Sequence, residues 1–207
     1  MRLFFLALLI SLFVACVPAK SPGVFAGYTN HSSPPAKVVT AVLPVYIDKD
    51  FTFAEKEEIH MAFYEWNKAL NGYARFNIVS NDFSGKYESP ELDAMNVTGQ
   101  GIIVYRMTSD NPVIQAADDS GRMLAFVPDL GSHEVFVVAD RIGTRKLSLI
   151  MMHELGHDLG LTHDDIEYTL MFPYAERQPP CIDKITMLRI ATRFDFDINH
   201  LNYCELD

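Results

Sequence analysis

Eleven consecutive residues hold the side chains best suited to chemistry in this sequence: His153-Glu154-Leu155-Gly156-His157-Asp158-Leu159-Gly160-Leu161-Thr162-His163. On a helix, His153 and His157 are four residues apart and stack on one face. Two imidazoles at that spacing can reach one zinc ion at about 2.0–2.1 Å. Glu154, beside the first of them, can approach a water at that metal without being drawn into coordination. Gly160 can adopt a positive φ, so the helix can stop there and the chain can turn to bring His163 round as a third ligand. Three protein ligands leave a fourth position for water, which marks a catalytic zinc rather than a structural one. The chain has 7 His and 11 Gly in 207 residues, and at such frequencies chance sets these five residues at these spacings in roughly two chains per 100,000.

The helix that must carry the ligands is predicted over residues 145–161, with Leu147, Met151, Leu155 and Leu159 on its buried side. Apolar spacing predicts another helix over 53–70 and a third over 185–203. Short β-branched or alternating runs predict strands over 38–47, 73–79, 102–107, 123–127 and 135–139. Five strands with helices between and after them imply one α+β or α/β domain.

Composition limits the classes further. With 49% hydrophobic and 21% charged residues the chain reads as globular, not disordered. A formal charge of −10 argues against nucleic acid as a partner, because such binding rests on neutralising phosphates. Arg2 followed by an apolar run over 3–14 is too short to span a bilayer but fits a signal-peptide core. Phe13-Val14-Ala15-Cys16 resembles the bacterial lipobox, with Phe13 where leucine is usual. Residues 1–15 are therefore expected to be a signal, and Cys16 to carry a lipid that makes the only membrane contact at the cell envelope. Cleavage after Ala19 and plain secretion is the alternative. The proline-rich stretch 16–36 reads as a flexible tether, and 37–207 as the folded domain. Export means an oxidising compartment. With Cys16 lipidated, Cys181 and Cys204 remain as an even pair and are expected to form a disulfide.

The long H-E-x-x-H-x-x-G-x-x-H form resembles the metzincin metalloproteases and, within them, the matrixins. Thr169-Leu170-Met171-Phe172-Pro173 looks like their A-L-M-Y-P Met-turn, and Met171 follows His163 at the matrixin spacing of eight residues. Ala62-Phe63-Tyr64-Glu65-Trp66 with Phe76, Leu124-Ala125-Phe126-Val127-Pro128, and Asp197-Ile198-Asn199-His200-Leu201 resemble less specific family segments. The resemblance implies a single zincin-like domain with a five-stranded mixed, twisted sheet and three main helices. It also implies a monomeric endopeptidase whose protein or peptide substrate lies extended along the edge strand at Leu124 and Ala125. Residues 172–182, including Tyr174, would wall the pocket for the residue after the cut. Calcium is admitted by the resemblance, although no D-x-D-x-D-G loop is present.

Two departures stand out. Phe126 occupies the place of a histidine that binds a second, structural zinc in the family, so one zinc per chain is expected, with the ring filling a gap between loop and sheet. Nothing before residue 37 resembles the family's inhibitory segment with its zinc-blocking cysteine. His31, His60 and His200 read as ordinary surface or core histidines, and His133 beside Glu134 is too sparse for a metal site. The mechanism expected is attack of a metal-activated water on the peptide carbonyl, with Glu154 as general base. A non-catalytic metal-retaining lipoprotein and a zinc amidase acting on cell-wall amides are the rival readings. Intact Glu154 argues against the first, and the Met-turn and edge-strand resemblance against the second.

Overall fold

A computed structural model describes residues 25–29, 41–84, 101–118, 120–143 and 146–206. The expected signal, the Cys16 lipid site and most of the expected tether lie outside these residues. The fold is α+β, built on a five-stranded mixed sheet.

Strands β2 (Ala41–Asp48), β3 (Ala74–Phe83), β4 (Ile102–Met107), β5 (Ala125–Phe126) and β6 (Glu134–Val138) lie in the order β3-β2-β4-β6-β5. The first four in that order run parallel, and β5 is an antiparallel edge strand on β6. Alternation assigns residues to the two faces. Ile102, Val104, Val135 and Val137 join the core beneath helices α1 (Phe53–Leu70) and α4 (Leu147–Asp158), whereas Ile103, Tyr105, Met107, Phe136 and Val138 form a second cluster with Ile114. Ile114 lies on the short helix α2 (Pro112–Ala117), and another short helix, α3 (Ala139–Ile142), follows β6.

Helix α1 begins at a capping box, in which the Glu55 amide donates to Thr52 Oγ1 (3.3 Å) and the Thr52 amide donates to Glu55 Oε2 (2.7 Å). Its buried residues Ile59, Ala62, Phe63, Trp66 and Leu70 recur at helical spacing. Trp66 Nε1 donates to the Met152 carbonyl (2.9 Å), pinning α1 to the middle of α4. The Phe126 ring stacks on Phe136 (5.0 Å between centroids), which in turn stacks on Tyr105 (4.9 Å), so it joins the second cluster.

The C-terminal region departs from the expected helix over 185–203. Helix α5 (Lys184–Phe194) ends at Asp195, which takes the left-handed conformation (φ 57°), and Asp197 caps a 3₁₀ turn at Ile198–His200. Apolar periodicity continues past Phe194, but aspartates at 195 and 197 favour capping over helix interior. Strand β7 (Cys204–Leu206) then pairs antiparallel with β1 (Phe25–Tyr28). Those β1 residues fall inside the 16–36 stretch expected to be a flexible tether, which is corrected there: the chain pairs its backbone with the C-terminal strand. Cys181 and Cys204 are joined in a disulfide, both buried, with Cα atoms 6.1 Å apart.

Candidate metal centre

Helix α4 delivers His153 and His157 from one face, and the turn after it delivers His163. The turn is made by two backbone bonds, Gly160 N–H to His157 C=O (2.8 Å) and Leu161 N–H to Gly156 C=O (2.9 Å). That is the Schellman arrangement, and Gly160 supplies its left-handed residue at φ 83°. The three Nε2 atoms are 3.1 Å from one another. Among the described residues these histidines are the one group of three or more possible ligand side chains.

The hydrogen bonds explain what that cluster can do. His153 Nδ1 lies 2.6 Å from the Leu170 carbonyl and His157 Nδ1 lies 2.7 Å from the Leu161 carbonyl. A carbonyl only accepts, so each Nδ1 carries the proton and each Nε2 presents a bare lone pair. Two bare nitrogens cannot hydrogen-bond each other; at 3.1 Å they repel unless a cation lies between them. Tetrahedral zinc with Zn–N near 2.0–2.1 Å spaces its ligand atoms by roughly 3.3 Å, so the donor set fits that ion. Burial pushes the His153 imidazole down to about 3, helped by the nearby His157 and His163 and opposed by the Leu170 bond. Burial also lowers His157 and His163. All three are thus held neutral, as metal ligands must be.

Glu154 is buried, its Oε2 has no hydrogen-bond partner, and burial pushes its carboxyl up to about 8. An isolated buried carboxyl of this kind is what an adjacent divalent cation and its water would satisfy. Met171 is fully buried, in a turn closed by Phe172 N–H to Thr169 C=O (3.2 Å). Its thioether lies so close to α4 that a Cβ on Gly156 would stand 2.3 Å from Sδ. Gly156 is therefore required by packing, not only by helix geometry.

A cleft of about 1070 Å³ opens on this centre. Leu124, Ala125 and Tyr174, expected to contact substrate, all line it, together with Ile150 and Gln178. Ala125 belongs to the edge strand, and Leu124 extends the pairing by accepting from Val138 N–H (2.8 Å).

Several supports of the site went unread in the sequence. Asp118 accepts from Ser120 Oγ (2.6 Å), Met123 N–H (2.9 Å) and Arg141 Nη1 (2.6 Å), fixing the loop that feeds β5. The Ser120 hydroxyl foremost, then the Met123 amide and Arg141, hold its carboxyl down at about 2 against desolvation. Asp183 Oδ2 accepts from Leu170 N–H (2.7 Å) and so braces the residue whose carbonyl orients His153. Gln178 Nε2 donates to the Phe172 carbonyl (2.7 Å). His133, beside Glu134, turns instead to Asp158 at the end of α4 (3.2 Å). Only the run of aspartates following His163 and preceding α5 hinted at such contacts.

Residues 37–186 match the sequence profile of the family described as Matrixin. No curated protein matches the chain. Among solved structures, metalloproteinase-II from Bacteroides fragilis is similar at 15% identity and a TM-score of 0.47 over 76% of this chain. This chain spans about half of that one, 55% of its length.

Proposed function

The chain belongs to the matrixin family of zinc metalloproteases, and from that premise we propose that it is an endopeptidase in which Glu154 is the general base. The observation that carries the reading is the buried Glu154 carboxyl, with its Oε2 unpartnered, beside three imidazole Nε2 atoms at one centre. When bound by His153, His157 and His163, zinc supplies Lewis acidity and lowers the pKa of water. Glu154 accepts a proton from the attacking water as its oxygen bonds to the scissile carbonyl carbon. The same carboxyl then returns that proton to the amide nitrogen as the C–N bond breaks, leaving a carboxylic acid and an amine, and the acid proton then passes to the amine to give a carboxylate and an ammonium. Burial keeps Glu154 from being levelled by solvent, so small changes in nearby charge move its proton affinity.

The outer edge of β5 supports an extended substrate that pairs with the backbone at Leu124 and Ala125. Pro173, Tyr174, Ala175, Glu176 and Gln178 line the same cleft and would contact the side chain following the cut. Unfolded casein should be cleaved internally, should become resistant on chelation, and should be cleaved again after zinc is restored. Zinc-loaded protein that leaves casein intact while hydrolysing cell-wall amides would overturn this reading.

Export and anchoring through Cys16 belong to the same proposal, supported by the apolar run over 3–14 and the Phe13-Val14-Ala15-Cys16 segment. Cys16→Ser should move the protein from membrane to soluble fraction or block its processing. A mature chain beginning at Lys20 would instead establish plain secretion.

A further inference from the structure

The three ligands are not equally supported. His153 and His157 sit on a regular helix, and a backbone carbonyl orients each Nδ1. His163 lies beyond the helix, is exposed, and has no hydrogen bond to its Nδ1 among the described residues. Its place must therefore be set by the residues on either side.

Those residues are held by one side chain from α5. Arg189 Nη2 donates to the Thr162 carbonyl (2.8 Å) and to Thr162 Oγ1 (3.0 Å), and Nη1 donates to Asp164 Oδ2 (3.2 Å). One planar guanidinium thus spans the positions before and after the ligand. Asp164 is itself tied inward: its amide donates to the Met171 carbonyl (3.1 Å), and its other carboxylate oxygen accepts from Thr169 Oγ1 (2.6 Å). The far end of α5 is fixed by Asp183, which caps the helix through Ile185 N–H and Thr186 N–H and also holds Leu170. Helix α5 thereby touches the surroundings of the first ligand at one end and of the third ligand in its middle.

We propose that Arg189 is a positioning residue for the third zinc ligand, its guanidinium fork holding Thr162 and Asp164 so that His163 meets the two helix-borne histidines. Outer contacts of this kind, when removed, typically cost about 10–100-fold in metal affinity. Lysine offers a point charge without a planar fork, so it cannot hold both flanks at once.

The proposal rests on the three histidines sharing one zinc, and its test does not depend on proteolysis. Zinc dissociation constants would be measured by chelator competition for wild type, Arg189→Ala and Arg189→Lys, below the thermal midpoint of each apo protein. Cobalt-substituted samples would be compared by their visible absorption. Both variants should bind zinc about 10–100-fold more weakly, with an altered cobalt spectrum, and guanidinium ion should restore part of the affinity to Arg189→Ala. A purely structural role would lower the apo midpoint while leaving the zinc constant and the cobalt spectrum unchanged; that result overturns the proposal. If Arg189→Ala does not fold, Arg189→Lys decides alone. Wild type that binds no zinc would sink the reading of the site itself, whereas tight wild type with equally tight variants would sink only the role of Arg189.

Discussion

Two of the three zinc-ligand candidates ride on a helix and the third on a turn, and the two regions are stabilised by different means. In α4 the spacing of His153 and His157 follows from 3.6 residues per turn, and backbone hydrogen bonding keeps it whatever the neighbours do. In residues 159–164 no regular ladder exists. A Schellman closure at Gly160, the Arg189 fork and the bond from Asp164 to Met171 take its place. Burial follows the same gradient, with His153 buried, His157 intermediate and His163 exposed. A metal site thus combines a part that local geometry makes rigid with a part that distant side chains must hold. The second part is where substitution remote from the metal should tell.

The largest effect tests whether catalysis can be removed with both regions intact. Glu154→Gln should cut casein hydrolysis by at least about 10²–10⁴-fold, the usual contribution of a general base. Elemental analysis should still find one zinc per chain. Activity within a few-fold of wild type would rule out the mechanism proposed here.

Replacing both Cys181 and Cys204 by alanine strikes the support of the turn region, because the bond anchors the chain just before α5. With 23 residues of separation, chain-entropy reasoning gives a loss of roughly 3 kcal/mol, to be read from urea unfolding. Zinc affinity should weaken with it if α5 positions the third ligand, while the far-UV signature of α4 persists.

Gly156→Ala acts where the two regions meet. The added methyl would stand 2.3 Å from Met171 Sδ while only touching the Trp66 ring at 3.8 Å, so the buried Met171 side chain must move. Overpacking of this kind costs about 1–3 kcal/mol. Adding Met171→Ala should recover part of the loss, and strict additivity in the double variant would mean that the contact is not the cause.

The smallest effect concerns the end of the helix. The hydrogen bond and charge of Asp158 raise the His133 pKa against the opposing effect of burial. A raised folded-state pKa means that this pair stabilises fully below the unfolded value of about 6.5 and loses its contribution as pH rises through the folded value. The thermal midpoint of wild-type apoprotein should therefore exceed that of His133→Gln by more near pH ~5.5 than near pH ~8.5. A difference that stays constant across this range would deny the pair any role.

Legibility in the sequence followed the same division. The clustering of His153, His157 and His163 and the stop at Gly160 could be read directly, because each depends on residues within eleven positions and on fixed helical geometry. Residues 102–107 could be read as a strand, but that Ile102 and Val104 face the helices while Ile103 and Tyr105 face the other way was decided by packing. Helix α2 was missed although Asn111-Pro112 is a cap followed by a favoured first-turn proline; six residues give too little periodicity to register. The helix over 185–203 ran too long because apolar spacing outweighed the capping preference of Asp195 and Asp197. Strand β1 could not be foreseen from its own residues, since its hydrogen bonds lie with a strand nearly the whole chain away. The grip of Arg189 on Thr162 and Asp164, of Asp183 on Leu170, and the pressure of Met171 on Gly156 were also decided only by tertiary structure. The sequence by itself determined which atoms could bind a metal, because a helix converts spacing into position. Which distant side chains hold the third ligand depends on how α5 packs against the turn, and no local spacing encodes that.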